Sequence, residues 1–505
     1  MSNKSRTQNS ARNMAVEVTQ KIVAILFTFV SRQIFLQVLT VEHLGVNVLF
    51  VDILAFLSLA DLGLSSALAY NFFKPLAEND EIKLAALSRF YSKVYKIIAV
   101  AVAAIGLALI PFLRQIIRLE TDLDHLEIYY LIALINVVLS FLFVVKAGII
   151  SADQHRRIVT MYRMVGSILS MTLQIIVLLT IGSFMLFLLM PLITTLATNL
   201  LMARKASKMY PYVRHKATLE ADDKKTVFKS MKSVSIYRIA NFGILNTDNI
   251  LISTLVGTAV VGKYSNYVLA VTNLQHLGYM AFSSVTASIG NLVATESPEK
   301  RLQIFKPMQM SSFWLSGFFC FCLFFLLDDF ILLWLGEEFV FGFYIKLLIL
   351  LACYLSITRL PIAAFREPTG FFMKTKYVML TAAIMKIALS IFLGIHLGLV
   401  GILIASLVTK LSTFIWYEPM VLFRDYFESS AAGYFYENIL NLAILAGCIT
   451  IAYFILPWQE AAGWGYWVLR GIACTVFINS VYFLRYFRTP EFSVVVGKVK
   501  TLVKK

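Results

Sequence analysis

Charge is scarce in this chain. Asp, Glu, Lys and Arg make up 15% of its 505 residues, against roughly 25% in soluble domains. So little charge cannot coat a soluble protein of this length, and 59% of the residues are hydrophobic. Cysteine is sparse as well. Cys320, Cys322, Cys353, Cys448 and Cys474 all sit inside apolar stretches, with no His or acidic cluster beside them. They read as small buried hydrophobes, so neither a metal site nor a disulfide framework is expected. An early apolar core with a small-residue cleavage site is lacking too. The first residues, MSNKSRTQNSARN, are polar and basic and read as a cytoplasmic tail. A phosphate-binding loop is lacking. Gly257-Thr-Ala-Val-Val-Gly-Lys263 fits G-x-x-x-x-G-K, but Tyr264 follows where Ser or Thr is required, and no strand precedes it. No cofactor is expected, and ATP is not expected as the direct energy source.

What the chain does have is long apolar runs, such as Ile97–Phe112, Ile168–Ile181 and Leu442–Leu456. Runs of about 20 residues match a hydrocarbon core of roughly 30 Å at about 1.5 Å per helical residue. About fourteen spans are predicted, at 22–39, 46–70, 94–112, 129–150, 164–180, 186–202, 233–255, 264–290, 308–326, 343–357, 377–394, 400–417, 439–456 and 468–484. The fold class is therefore an all-α polytopic membrane protein.

The net charge of +16 does not call for nucleic acid. With both termini cytoplasmic, most Lys and Arg fall in cytoplasmic segments, as the positive-inside rule requires. The outer loops keep only Arg114, Arg118 and Lys263, and carry acids at Leu119–His125 and Asp328-Asp329. The basic stretch 204–232 divides an N-terminal six-helix lobe, 1–203, from a second, 233–418. The hairpin turns Leu39–Gly45 and Leu255–Gly262 resemble each other, each ending in glycine. Six spans per half keep both halves in one orientation, as in parallel-repeat transporters. Residues 419–505, helices thirteen and fourteen with a basic cytoplasmic tail, stand outside the repeat and can lie on membrane lipids.

Ionisable residues inside spans cost about 2.5–3.5 kcal/mol each and usually face a cavity or a partner. Lys146, Lys346 and Arg470 lie near span ends and read as solvated anchors, and Arg163 as an orientation charge. Arg32, Asp61, Lys386 and Lys410 are nearer mid-span. Arg32 and Asp61 can pair across adjacent helices, whereas Lys386 and Lys410 have no acid in their own spans. In span seven, Arg238, Asn241, Asp248 and Asn249 share one polar face at about 100° per residue. Span eight adds Asn266, Asn273 and Ser284, with Tyr264 and Tyr267 near its outer end. Two polar stripes on neighbouring helices read as a wet cavity or as packing through buried amides.

Three segments carry a resemblance: Leu44–Phe50 (LGVNVLF), Leu57–Leu68 (LSLADLGLSSAL), and Asn246–Ser253 through Val261–Tyr267. There the chain resembles the polysaccharide flippases (Wzx-like) of the multidrug/oligosaccharidyl-lipid/polysaccharide exporter (MOP) superfamily. That resemblance implies two six-helix lobes around a cavity, plus two C-terminal helices, in the bacterial cytoplasmic membrane. It implies alternating-access flipping of an undecaprenyl-pyrophosphate-linked oligosaccharide, a capsule, exopolysaccharide or O-antigen unit, alongside glycosyltransferases and a glycan polymerase. A polyprenyl pyrophosphate is an anion, which Arg and Lys suit. Arg32, Arg238, Lys386 and Lys410 are the expected headgroup ligands, and Asn241, Asn249, Asn266 and Asn273 the glycan partners. Asp61 or Asp248 is the candidate for coupling to a proton or sodium ion. Rival readings are a lipid II or other cell-wall-precursor flippase, a small-molecule antiporter of the same fold, and a membrane enzyme acting on lipid-linked glycans. The last is disfavoured because no loop presents a catalytic constellation.

Overall fold

The computed structural model describes residues 24–58, 64–120, 123–214, 217–219, 243–244, 246–283, 286–455 and 463–503. Among them every regular element is helical. This is what a lipid-embedded backbone requires, since a helix satisfies its own N–H and C=O groups. Seven of these helices are long and apolar enough to cross a membrane, or up to nine if two bent pairs each count as one span. The chain is a multi-pass membrane protein.

The chain divides into two compact units, Met1–Phe242 with Gly257–Gly262, and Gly243–Val256 with Lys263–Lys505. The first holds α1 (Ala24–Val38), α2 (Val41–Leu57), α3 (Leu64–Glu78), α4 (Glu81–Leu109), the short α5 (Leu113–Ile116), α6 (Leu126–Phe141), α7 (Val144–Ala152), α8 (Arg156–Thr180) and α9 (Phe184–Met209). Several helices outrun the predicted spans. The third begins at Glu81 rather than 94, with Asp80 accepting the Lys83 N–H at 2.9 Å as its N-cap. The sixth runs to Met209, into the stretch read as loop. Hydropathy finds the part of a helix inside lipid, whereas good helix formers such as Ala203-Arg-Lys-Ala206 continue it into water. Tyr210 then donates to Asp153 Oδ2 at 2.7 Å, tying the end of α9 to the α7–α8 turn. Burial, and then this hydrogen bond, hold the Tyr210 phenol well above its ordinary pKa.

The two glycine turns differ from expectation. Each helix begins four residues before its glycine, at Val41 and at Thr258, so Gly45 and Gly262 lie in helical first turns. They also face one another. A Cβ on Gly45 would strike the Thr258 carbonyl, and one on Gly262 would strike the Val41 carbonyl and come within 3.3 Å of the Gly45 nitrogen. The contact is reciprocal: each glycine admits the first residue of the other helix. Around it, Glu42 accepts the Glu120 N–H at 2.8 Å, and Thr258 N–H donates to the Arg118 carbonyl at 2.9 Å.

The second unit holds α10 (Asp248–Leu255), α11 (Thr258–Ser283, beyond Gly262), α12 (Thr286–Thr295), α13 (Pro298–Leu335), α14 (Phe343–Thr358), α15 (Leu360–Thr369), α16 (Phe372–Ser412), α17 (Phe414–Tyr426), α18 (Ala432–Ile455), α19 (Trp464–Tyr486) and α20 (Pro490–Val503). Predicted spans eleven and twelve form one helical run, broken at Gly398 with φ 58° and ψ −136°. That left-handed backbone favours glycine, and it turns the chain without a loop. Asp328 and Asp329, read as outer-loop acids, lie within α13. Asp328 pairs with Lys346 at 2.6 Å, and Asp329 with Arg470. Lys346 and Arg470 are therefore paired and largely buried rather than solvated anchors, which removes the cost of carrying each charge alone. Lys146 sits partly buried on α7.

Helices α18 and α19 are fastened to this unit by buried polar groups. Tyr482 OH donates to Asn441 Oδ1 at 2.7 Å, and Asn441 Nδ2 donates to Tyr354 OH at 3.1 Å. Trp314 Nε1 donates to Asn479 Oδ1 at 2.8 Å. In a medium without competing water, such links hold helices together where the hydrophobic effect cannot.

Candidate functional site

Three of the predicted site residues come together in the second unit. Lys386, on the first arm of α16, is 2% exposed. Its Nζ lies 2.9 Å from Asp248 Oδ1 and also donates to the Ile244 carbonyl. Asp248 opens α10, where a carboxylate is favoured by the helix dipole. Ser406, on the second arm of α16, donates to Asp248 Oδ1 at 3.1 Å. The break at Gly398 is what lets both arms of one helical run reach the same carboxylate. Lys386 lacks an acid in its own span, as the sequence indicates, but finds one on α10.

Lys410 lies one helical turn beyond Ser406, within electrostatic reach of Lys386, Asp248 and Arg359. Among the described residues it makes no ion pair or hydrogen bond. Arg359 is already engaged. It sits at the bend between α14 and α15, and its guanidinium grips Glu418 through two hydrogen bonds of 2.7 Å. Glu418 is fully buried, and Arg359 stacks over the Phe414 ring at 4.4 Å. Among the described residues the cluster thus holds three cations, Lys386, Lys410 and Arg359, against two carboxylates, Asp248 and Glu418. Each of these carboxylates is matched, and the surplus positive charge among them is that of Lys410.

The other candidates fall elsewhere. Asn249 follows Asp248 in the first turn of α10, half-buried. Asn266 is fully buried on α11, and Tyr264 lies near Asp248. Asn273 turns its amide back onto its own helix, donating to the Leu269 carbonyl at 2.9 Å. Tyr267 donates to Asp328 at 2.9 Å and so joins the Lys346 pair. Arg32 is partly buried on α1 in the first unit. Asp61, Arg238, Asn241 and Ser284 lie outside the described residues.

Sequence reasoning did not single out Arg359 and Glu418. Arg359 reads as one more cytoplasmic loop charge, and only the bend after α14 brings it inward. Nor did it single out a groove in the first unit. A cavity of about 470 Å³ lies between α8, α9 and the α6–α7 break. Arg163, Ser167 and Ser170 line it along one face of α8, and Thr195, Thr198 and Asn199 face them from α9. Among the described residues none of these six makes a hydrogen bond or ion pair, so their donors and acceptors are open to a ligand. The spacing Arg163, Ser167, Ser170, Gln174 is a helical stripe, the signal that could have found it.

No family model matches the chain, and no curated protein matches it in sequence. Solved structures do match in fold. An inward-facing multidrug resistance MATE family transporter of the MOP superfamily is 14% identical, with TM-score 0.57, covering 80% of this chain and 97% of its own. The lipid II flippase MurJ, in an inward closed conformation, is 13% identical, with TM-score 0.60, covering 92% and 100%. A point mutant of the Vibrio cholerae MATE transporter VcmN is 14% identical, with TM-score 0.52, covering 83% and 98%. The chain has the MATE/MurJ-like fold.

Proposed function

We propose that the chain is a MOP-type flippase carrying an undecaprenyl-pyrophosphate-linked oligosaccharide across the bacterial cytoplasmic membrane. The observation that carries this reading is the surplus positive charge at Lys410, set in a cluster whose other charges are matched. A mid-membrane ammonium with no partner costs about 2.5–3.5 kcal/mol, which an anionic substrate offsets. Lys410 supplies a point charge for the pyrophosphate, and Ser406 and Tyr264 stand nearby. Taken by itself, the α8–α9 groove of the first unit offers hydroxyls and an amide of the kind that bind sugars, whose hydroxyls both donate and accept. The lipid tail stays in the bilayer. Movement of the anion outward gains about 2.3 kcal/mol per net charge per 100 mV of inside-negative potential. In this reading Asp248 has a structural share in the site, since it holds Lys386, and protonating it would raise the cluster's positive charge further.

The runner-up is a flippase for lipid II or another lipid-linked cell-wall precursor, which the likeness to MurJ favours over most of the chain. A small-molecule antiporter for cations fits less well, because the described carboxylates of the cluster are already engaged by Lys386 and Arg359.

Reconstitution into vesicles tests the proposal. A fluorescent glycan on polyprenyl pyrophosphate is expected to reach the opposite leaflet, and the same glycan on a phosphate-free lipid is not. Equal movement of both, or movement of organic cations alone, would refute it.

A further inference from the structure

A second cavity in the C-terminal unit, of about 420 Å³, belongs to none of the groups above. It lies where helices end: the start of α13, the end of α17, the start of α18 and the α19–α20 junction. The cavity surrounds the ends of predicted spans 308–326, 439–456 and 468–484, and so lies near the boundary of the hydrocarbon, where tyrosine collects; Tyr434, Tyr436 and Tyr486 all line it.

Its buried polar groups are incomplete. Gln309 and Tyr486 are each 8% exposed, yet among the described residues the Gln309 Nε2 and the Tyr486 hydroxyl meet no hydrogen-bond partner. Nor, among the described residues, does the buried hydroxyl of Ser429. A buried polar group that nothing meets is costly, so each favours a ligand that meets it. The wall also carries charge of both signs. Glu437 is engaged by Arg485 at 2.8 Å. Lys306 and Glu491 form no ion pair among the described residues. A simple anion would leave Glu491 unmatched, and a simple cation would leave Lys306 unmatched. Tyr436 of the lining, Ile439 one helical turn further along α18, and Phe487 next to Tyr486 are exposed and apolar, suited to acyl chains.

We propose that this cavity binds the headgroup of a zwitterionic, ammonium-bearing phospholipid. The phosphate lies toward Lys306 and the Gln309 amide, and the ammonium toward Glu491 and the Tyr436 ring, where a cation–π contact is available. The cavity shares no lining residue with the Lys410 cluster, although Tyr434 lies within electrostatic reach of Arg359 and Glu418, and the proposal does not depend on what the protein transports.

The test uses the purified full chain in detergent, titrated with dioleoyl-phosphatidylethanolamine, dioleoyl-phosphatidylglycerol or soluble glycerophosphoethanolamine. Lipid retention is read by native mass spectrometry and the unfolding midpoint by intrinsic fluorescence. The ethanolamine lipid is expected to bind at least about tenfold more tightly than the glycerol lipid, and more tightly than the soluble compound. Glu491→Lys and Lys306→Glu should each weaken it about threefold to tenfold. Glu491→Lys should also invert the preference toward the glycerol lipid, an outcome that damage to the fold would not give. If one variant does not fold, the other carries the same test. Equal binding of the two lipids, or wild-type binding in both variants, would overturn the proposal. Equal binding of the soluble compound would overturn the lipid as its source.

Discussion

Lys386 and Lys410 are chemically alike and lie in one helical run, yet their removal should have opposite consequences for stability. Among the described residues, Lys386→Met leaves Asp248 with the Ser406 hydroxyl as its hydrogen-bond partner and no ion pair. Removing one member of a buried pair costs about 3–5 kcal/mol, and Asp248 keeps 22% of its side-chain surface, so the lower end of that range applies. Lys410→Met removes a charge that makes no ion pair or hydrogen bond among the described residues. Stability should then be unchanged or rise, by up to about 2.5–3.5 kcal/mol on insertion scales. Transport should respond the other way round for Lys410. A charge-assisted hydrogen bond to phosphate is worth about 1.5–3 kcal/mol, so the initial flipping rate at low substrate should fall roughly ten- to a hundredfold. The double variant Asp248→Asn/Lys386→Met, which removes the pair together, should recover much of the stability lost by Lys386→Met alone. The assay is thermal unfolding in detergent, paired with leaflet-resolved flipping in vesicles at matched protein levels. If Lys410→Met destabilises as much as Lys386→Met and flips at the wild-type rate, the charge accounting of the cluster is wrong.

Other consequences follow from particular contacts. Glu418→Gln should lower stability, toward the lower end of about 3–5 kcal/mol, by removing the buried carboxylate that Arg359 grips, and Arg359→Met/Glu418→Met should recover part of it; unfolding midpoints check both. Gly262→Val should lower expression and unfolding temperature, because its Cβ would meet the Val41 carbonyl, whereas Gly433→Ala, with open space around it, should be near neutral. Arg163→Gln combined with Ser167→Ala should weaken transport of long glycans more than of a single-sugar lipid; equal loss for both would separate the groove from the glycan.

Much of this architecture was legible in the sequence, for physical reasons. Lipid forces backbone groups into helices, so apolar runs locate the spans, and the scarcity of mid-span charge makes Lys386, Lys410 and Asp248 conspicuous. Gly45 and Gly262 were visible as equivalent positions, but not as neighbours, because reciprocal packing leaves no local mark. The pairing of Asp248 with Lys386 was hidden for the same reason: it depends on the chain turning at Gly398. Arg359 went unremarked because a loop charge and a charge at a bent helix junction have the same composition. Asp328 and Asp329 read as loop because two adjacent acids end an apolar run, whereas the helix continues past them, and their pairing with Lys346 and Arg470 leaves no local mark. The hydroxyl stripe of α8 was overlooked because Ser and Thr can satisfy themselves on their own helix.

The central claim is that the surplus charge of Lys410 recognises a pyrophosphate. Equilibrium binding measures it most directly, with a pyrophosphate-linked glycolipid and its phosphate-free counterpart titrated against wild-type protein and Lys410→Gln in detergent. The account predicts that the pyrophosphate lipid binds the wild type roughly ten- to a hundredfold more tightly than the variant, while the phosphate-free lipid binds both equally weakly. Equal affinity of the pyrophosphate lipid for the two proteins would contradict it.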